Sequence, residues 1–319
     1  MPKTLLVMVL FSLEAVAENV SISSSVRDEV GRPISNAVVT VSTQKRLLFG
    51  YGSRPDHFLS VSNVTDQSGT AVLKFDCCTA DFSCMASAEG YYSEYVRNGR
   101  FSATEDSSLK MRFTSVSTNL NFILRKEIMP IPMYSHGAML NLKIPGNGDF
   151  VGYDLEMSDW VRPYGQGKTT DFEVSFCRAE ENDCVRRVGK VRFLRRGSGA
   201  YVRKKAKSDG LVSAYHAETN AVFRQDFESL IYVNRRNNSE NIVRDIIAED
   251  EYMVLRTRTE VDSNGKIISA NYSKIYGPVR IDRVFRFEQS SFNSTANDTN
   301  LEFDTGKNLN RKSLNRTRP

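Results

Sequence analysis

The stretch YMVLRTRTEVDSNGKIISANYSKIYG, residues 252–277, constrains the fold more than any other part of the chain. Asn264-Gly265 is a strong two-residue turn signal, because both residue types tolerate the positive φ that a tight hairpin demands. Pairing outward from it opposes Val261 to Ile268, Thr259 to Ala270 and Thr257 to Tyr272. The other face then carries Arg256, Arg258, Glu260, Ser269, Asn271 and Ser273. One face reads as core and the other as wet, as a half-buried antiparallel pair requires. A chain organised around such a hairpin is building sheet.

The rest of the sequence agrees. From 20 to 126, short runs such as VSISSSV, AVVTVST, AVLKF and NLNFILRK alternate and are separated by Gly, Asn, Asp and Pro. No stretch there has a period of 3.6. Further on, MLNLKIP and DFEVSFC alternate again, and RGSGAY reads as a hairpin turn between KVRFLR and YVRKKAK. The best helix candidate is SENIVRDIIAEDEY, with Ile242, Ile246 and Ile247 on one stripe. A length of 319 residues suits about two domains, and a 40% hydrophobic composition supplies cores for them. The expected architecture is all-β: a leader over 1–17, a β-sandwich over 18–126, a second β-rich, sandwich-like domain over 127–304, and a basic, disordered tail over 305–319.

Three ordered blocks in the first third carry a family resemblance. The first holds Asp28, Gly31, Pro33, Ile34 and Ala37; the second Thr65, Asp66 and Gly69; the third Ala88, Gly90 and Tyr91. Their order resembles the carboxypeptidase regulatory-like module, a small sandwich of transthyretin-like (prealbumin-like) fold. The resemblance implies a non-catalytic module that accompanies enzymes, receptors and surface proteins. Asn36 stands where the family usually has glycine, and QKRLLFGYGSRPDHFLSVSN lengthens the link before the second block. The second region resembles uncharacterised secreted bacterial proteins in which such a module comes first, and no chemistry carries over from them.

The N-terminus has the form of a secretion signal. Lys3 supplies the positive charge, TLLVMVLF the apolar core and Ala15-Val16-Ala17 a small-x-small cleavage site. The apolar run is too short to span a bilayer, which needs about 20 residues. The expected product is secreted or periplasmic, with no transmembrane segment. The cysteines fit an oxidising compartment. Cys177 and Cys184 bracket a polar turn and are a candidate disulfide, and Cys84 could join Cys78 or Cys77. Zinc is disfavoured, since there is no C-x-x-C pair and no histidine nearby.

The net charge of +5 conceals an asymmetry. Ten basic residues and no acidic one lie between Arg186 and Lys207, and the tail from Lys307 adds five more. An unopposed basic run can grip an anionic polymer. Here VGKVRFLRR alternates, so the run reads first as a solvated strand face. Little aromatic residue is interleaved for base stacking, which argues against nucleic acid.

Motifs for catalysis are missing from the sequence. His57, His136 and His216 sit in no metal-binding pattern, and neither H-E-x-x-H nor G-x-S-x-G occurs. No cofactor is implied. Attention falls on VGYDLEMSDWVRPYGQGKTTDF, residues 151–172, which holds the single tryptophan. Trp160, Tyr153 and Tyr164 could form a flat platform for a sugar ring, with Asp159 and Arg162 bonding its hydroxyls. The reading that comes first makes Trp160 a core plug, because burying an indole removes so much apolar area from water. The expectation is a non-catalytic secreted or envelope-associated binding or structural protein, whose partner is a cell-surface polysaccharide or an envelope protein. A carbohydrate-binding module built on Trp160 is one alternative. Another is an enzyme using unrecognised carboxylates such as Asp154, Asp159 and Asp171.

Overall fold

The computed structural model describes residues 20–45, 57–75, 81–100, 104–105, 111–112, 117–137, 142–181, 183–207, 210–310 and 317–319. The expected leader, Cys77 and Cys78 therefore lie outside the described residues. Strand dominates, and the one helical element among the described residues is a 3-10 turn over Thr305–Lys307. The chain divides into two compact units, 1–127 with 208–210, and 128–207 with 211–319.

The first unit contains β1 (Val20–Asp28), β2 (Val38–Lys45), β3 (His57–Val64), β4 (Thr70–Phe75), β5 (Asp81–Ser87), β6 (Glu94–Arg100), β7 (Thr104–Glu105), β8 (Met111–Arg112) and β9 (Ser117–Leu124). A three-stranded sheet in the order β4-β1-β9 and a four-stranded sheet in the order β3-β2-β5-β6 account for most of them. The strands β1 and β9 run parallel, with Ile22 beside Thr118. Alternation along β1 buries Val20, Ile22 and Val26, which join Val39, Val41, Leu73, Phe82, Phe122 and Leu124 in one core. The result is a sandwich-like unit whose inner faces alternate with wet outer ones.

The sequence blocks of this unit are turn hardware. Asp28 Oδ1 accepts the amides of Val30 and Arg32 at 3.0 and 2.8 Å, which closes the turn containing Gly31. Asp66 Oδ1 accepts the amides of Ser68 and Thr70 in the same way. Buried Thr65 links the two blocks: its hydroxyl accepts from the Ala37 amide at 2.9 Å and donates to the Ile34 carbonyl at 2.7 Å. Gly69 has φ of +75°, and a Cβ there would lie 2.5 Å from the Val26 carbonyl oxygen. Asn36 itself takes φ of +59°, a conformation Asn tolerates better than most residues.

The second unit contains β10 (Tyr134–Gly137), β11 (Leu142–Lys143), β12 (Val151–Asp154), β13 (Asp159–Trp160), β14 (Phe172–Glu181), β15 (Cys184–Arg192), β16 (Gly199–Lys204), β17 (Asp226–Asn234), β18 (Glu240–Arg244), β19 (Glu251–Val261), β20 (Ile267–Tyr276), β21 (Arg280–Ile281), β22 (Val284–Arg286) and β23 (Gln289–Phe292). A six-stranded sheet runs β13-β12-β14-β15-β17-β18, a five-stranded sheet β10-β23-β20-β19-β16, and a small one β11-β22-β21. Aromatic and aliphatic side chains from all three form the main core, including Tyr153, Trp160, Phe172, Phe285, Phe287 and Phe292. A second core, with Tyr201, Tyr252, Val254, Ala270, Tyr272 and Leu301, covers the other face of the five-stranded sheet.

Several expectations change here. The 252–277 hairpin forms, but Asp262 Oδ1 caps a longer turn by accepting from Asn264 and Lys266, and within that turn only Gly265, not Asn264, carries positive φ. Val261 consequently faces Ile267, and a second irregularity between Thr257 and Glu260 sets Thr257 opposite Asn271. Asn271 and Ser273, read as wet, are buried, because this central strand has a core on each face. The helix candidate is an exposed edge strand, β18, with Ile246 and Ile247 tucked into the core beyond it. Gly197-Ser198-Gly199 does not close a hairpin: β15 pairs with β14 and β17, whereas β16 pairs with β19 in the other sheet.

The described part of the tail is also packed. Leu309 donates its amide to Met133, Asn308 bonds the backbone of Ser135, and Arg318 and Pro319 bond Gln289 and Tyr276. Cys177 faces Val188 and Cys184 faces Glu181, so the candidate bridge is out of register, and both cysteines are free. Cys84 is also free and buried, and burial pushes its thiol up to about 12.

Candidate functional site

Segment 151–172 folds back on itself as β12 and β13 and returns through Gly165 and Gly167. Both glycines are sterically required. A Cβ on Gly165 would meet Asp159 Oδ1 at 2.6 Å, and one on Gly167 would meet the Trp160 carbonyl oxygen at 2.8 Å. Trp160 is 3% exposed and Tyr153 fully buried. Their rings meet edge to face with centroids 5.6 Å apart, and Tyr153 stacks on Phe172 at 5.1 Å. The indole Nε1 donates to the Lys143 carbonyl at 3.0 Å, so its polar handle is also used internally. Tyr164 and Arg162 are exposed, whereas the two rings are buried. The structure does not bring the five predicted residues together as an open sugar platform.

The carboxylates of the segment serve its backbone. Asp159 accepts the Trp160 and Gln166 amides, each at 2.8 Å. Asp154 Oδ2 accepts the amides of Lys168 and Thr169, and its Oδ1 those of Glu156 and Met157. Asp171 accepts the Leu155 amide at 2.8 Å. Carboxylates that cap loop amides in this way fix a loop without regular ladder bonds.

Sequence reasoning missed the hub of this arrangement. Arg258, on β19, donates to Asp171 Oδ1 at 2.9 Å, to Asp154 Oδ1 at 3.2 Å and to Glu156 Oε2 at 2.8 Å, and its guanidinium lies over the Phe292 ring at 4.4 Å. Simple alternation puts Arg258 on the wet face. Its φ of +51°, at the irregularity in β19, goes with a side chain turned to the core side instead. Burial raises the Asp171 carboxyl above its ordinary range, and the Arg258 guanidinium opposes that rise. Burial also works to lower the Arg258 pKa, but its bond to Asp171 and the surrounding carboxylates outweigh it and the net direction is upward.

A groove of about 690 Å³ opens beside the segment, lined by Lys143, Pro145, Asn147, Arg178, Glu180 and Arg283 over a floor of Ile144 and Phe176. Trp160 shapes it at second hand, through its bond to Lys143. Glu180 is shared by Arg178 and Arg235, whereas Lys143 and Arg283 form no ion pair among the described residues. The groove is cationic at its rim.

The basic run between Arg186 and Lys207 is largely neutralised. Arg187 pairs with Glu240 and Asp282, Arg192 with Glu173, Arg203 with Glu218, Lys204 with Asp250 and Lys205 with Glu288. His136 is half-buried, which lowers its pKa, and His216 is exposed. Among the described residues no group of three His, Cys, Asp or Glu side chains is placed to hold a metal ion, and no helix is long and apolar enough to cross a membrane.

No family model and no curated protein matches the chain. Among solved structures it is similar to 3-chlorocatechol 1,2-dioxygenase from Rhodococcus opacus, at 14% identity and a TM-score of 0.25, over 34% of this chain and 61% of that one. A candidate carbohydrate-binding protein from Bacteroides uniformis matches at 8% identity and a TM-score of 0.21, over 79% of this chain and 95% of that one. An intradiol ring-cleavage dioxygenase from Tetranychus urticae matches at 12% identity and a TM-score of 0.23, over 37% and 85%. The chain thus spans less than two thirds of the first of these enzymes. Likenesses at this level fix neither family nor activity.

Proposed function

We propose that this chain is a non-catalytic binding or structural protein, exported by the leader at 1–17 to the envelope or beyond it. The first unit, of the carboxypeptidase regulatory-like type, is the scaffold, and the second unit is the specialised half. The observation that supports this reading best is the engagement of Asp154, Asp159 and Asp171 by loop amides, with Arg258 held between Asp154 and Asp171. A hydrolytic pair of carboxylates needs a cleft with room for substrate between them, and these three are committed to holding a loop.

On this reading the ligand surface of the second unit is the groove beside Trp160. Its unpaired Lys143 and Arg283 suit an anionic group, such as a carboxylate of an acidic surface polysaccharide. The apolar floor suits a ring or a chain of carbons above it.

The test incubates the protein with acidic and neutral polysaccharides and follows retention and chain length together. Salt-sensitive retention of the acidic polymers without cleavage, weakened in Arg283→Ala, is the expected result. Cleavage that disappears in Asp154→Asn would establish an enzyme instead.

A further inference from the structure

A second set of convergent polar contacts, sharing no residue with the groove lining, is built around Gln289. Residues 317–319 rest against the end of β20 and the start of β23. The Arg318 amide donates to Gln289 Oε1 at 2.7 Å, and Gln289 Nε2 donates back to the Arg318 carbonyl at 2.7 Å. The Tyr276 hydroxyl donates to the Pro319 oxygen at 2.6 Å. Glu288 Oε1 lies 3.3 Å from the Arg318 guanidinium.

This is a built receptor rather than a surface contact. Gln289 is 3% exposed and Tyr276 1%, and burial of this kind fixes side-chain direction. The Gln289 carboxamide lies 3.3 Å from the hydroxyls of Ser135 and Ser291, which orient it from behind. Lys205 Nζ holds the other oxygen of Glu288 at 2.8 Å and leaves Oε1 for the peptide. A side-chain amide that both donates to and accepts from one residue's backbone imitates a strand partner. It therefore reads an extended backbone whatever the side chain, and the adjacent carboxylate adds a preference for a basic one.

We propose that Gln289, Glu288 and Tyr276 form a peptide-binding site for extended basic segments, filled here by the chain's own residues 317–319. A basic peptide from another molecule competes for it when the tail leaves. This goes beyond the proposed function and does not depend on the groove or its ligand.

The experiment compares the full chain with a variant ending at Asn310, both first shown to be folded by thermal melting. The probe is a labelled peptide of residues 315–319. A tethered segment competes at an effective concentration of about 1 mM. A peptide that binds the shortened chain with Kd of about 0.1 mM should therefore bind the full chain about tenfold more weakly. Gln289→Ala in the shortened chain should abolish binding. Equal binding by the two chains, or none by a folded shortened chain, overturns the proposal. Should the shortened chain fail to fold, hydrogen exchange of the Arg318 amide in the full chain decides. Protection that Gln289→Ala removes supports the site, and an amide already unprotected in the parent rules it out.

Discussion

Removing the Arg258 guanidinium would leave Asp154 and Asp171 buried beside each other without their counter-charge. Breaking a buried pair from one side costs about 3–5 kcal/mol. The Arg258 side chain is 19% exposed, so Arg258→Ala should fall at the lower end, about 3 kcal/mol, in denaturant unfolding of the second unit. A loss under about 0.5 kcal/mol would mean that the hub is ornamental. Tyr153 offers the converse test. Its ring is packed among Trp160, Phe172 and Phe285, but its hydroxyl reaches no hydrogen-bond partner in good geometry among the described residues. Tyr153→Phe should therefore be neutral or slightly stabilising, because an unsatisfied buried hydroxyl carries a desolvation cost. Tyr153→Ala should cost about 3–5 kcal/mol through the cavity it leaves. A Tyr153→Phe protein with a lowered melting temperature would show that the hydroxyl has work to do.

At the scale of elements, turns and close approaches set what each substitution does. Gly189 on β15 lies against Ile281 of β21, and a Cβ there would run into Ile281 and into Ser229 Oγ. Gly189→Ala should destabilise the second unit by about 1–3 kcal/mol, as overpacking does, and a melt indistinguishable from the parent would refute that contact. Asp66 gives the pH dependence. The Ser68 hydroxyl and the amides of Thr70 and Ser68 hold its carboxyl below the ordinary 3.8. A depressed carboxylate contributes stability above its unfolded pKa and loses it as pH falls through the folded one. Asp66→Asn should thus be less stable than the parent at pH 7, with the gap closing as pH drops below 3.8; a gap that stays constant would contradict this. These turns were legible in the sequence because Asp, Gly and Asn report local backbone geometry. The register around Arg258 was not. An irregularity in mid-strand leaves alternation intact on either side, so nothing local marks the residue that turns inward. The edge strand β18 imitates a helical stripe for a related reason: of Ile242, Ile246 and Ile247, the last two follow the strand and pack into the core as loop residues.

Across the whole molecule, the charge asymmetry of the sequence is partly offset by pairing. Some of the acids that leave the remainder of the chain near −10 lie beside the basic run, as Glu173 does to Arg192 and Glu218 to Arg203. Exposed pairs of this kind add little stability each, but they offset much of the charge of the basic stripe. What remains unpaired at the groove is local, at Lys143 and Arg283. The all-β architecture was legible from alternation and turn spacing. The core position of Trp160 was favoured by the apolar area an indole buries, but which layer covers it was not legible, because a sequence cannot show which layer covers a strand.

Because Trp160 is the single tryptophan, its intrinsic fluorescence reports on this segment alone. An indole buried in this way should give blue-shifted emission, protected from iodide and unchanged by neutral saccharides. Emission at the wavelength of free indole, quenched by iodide and shifted by a neutral sugar, would contradict this and restore the platform.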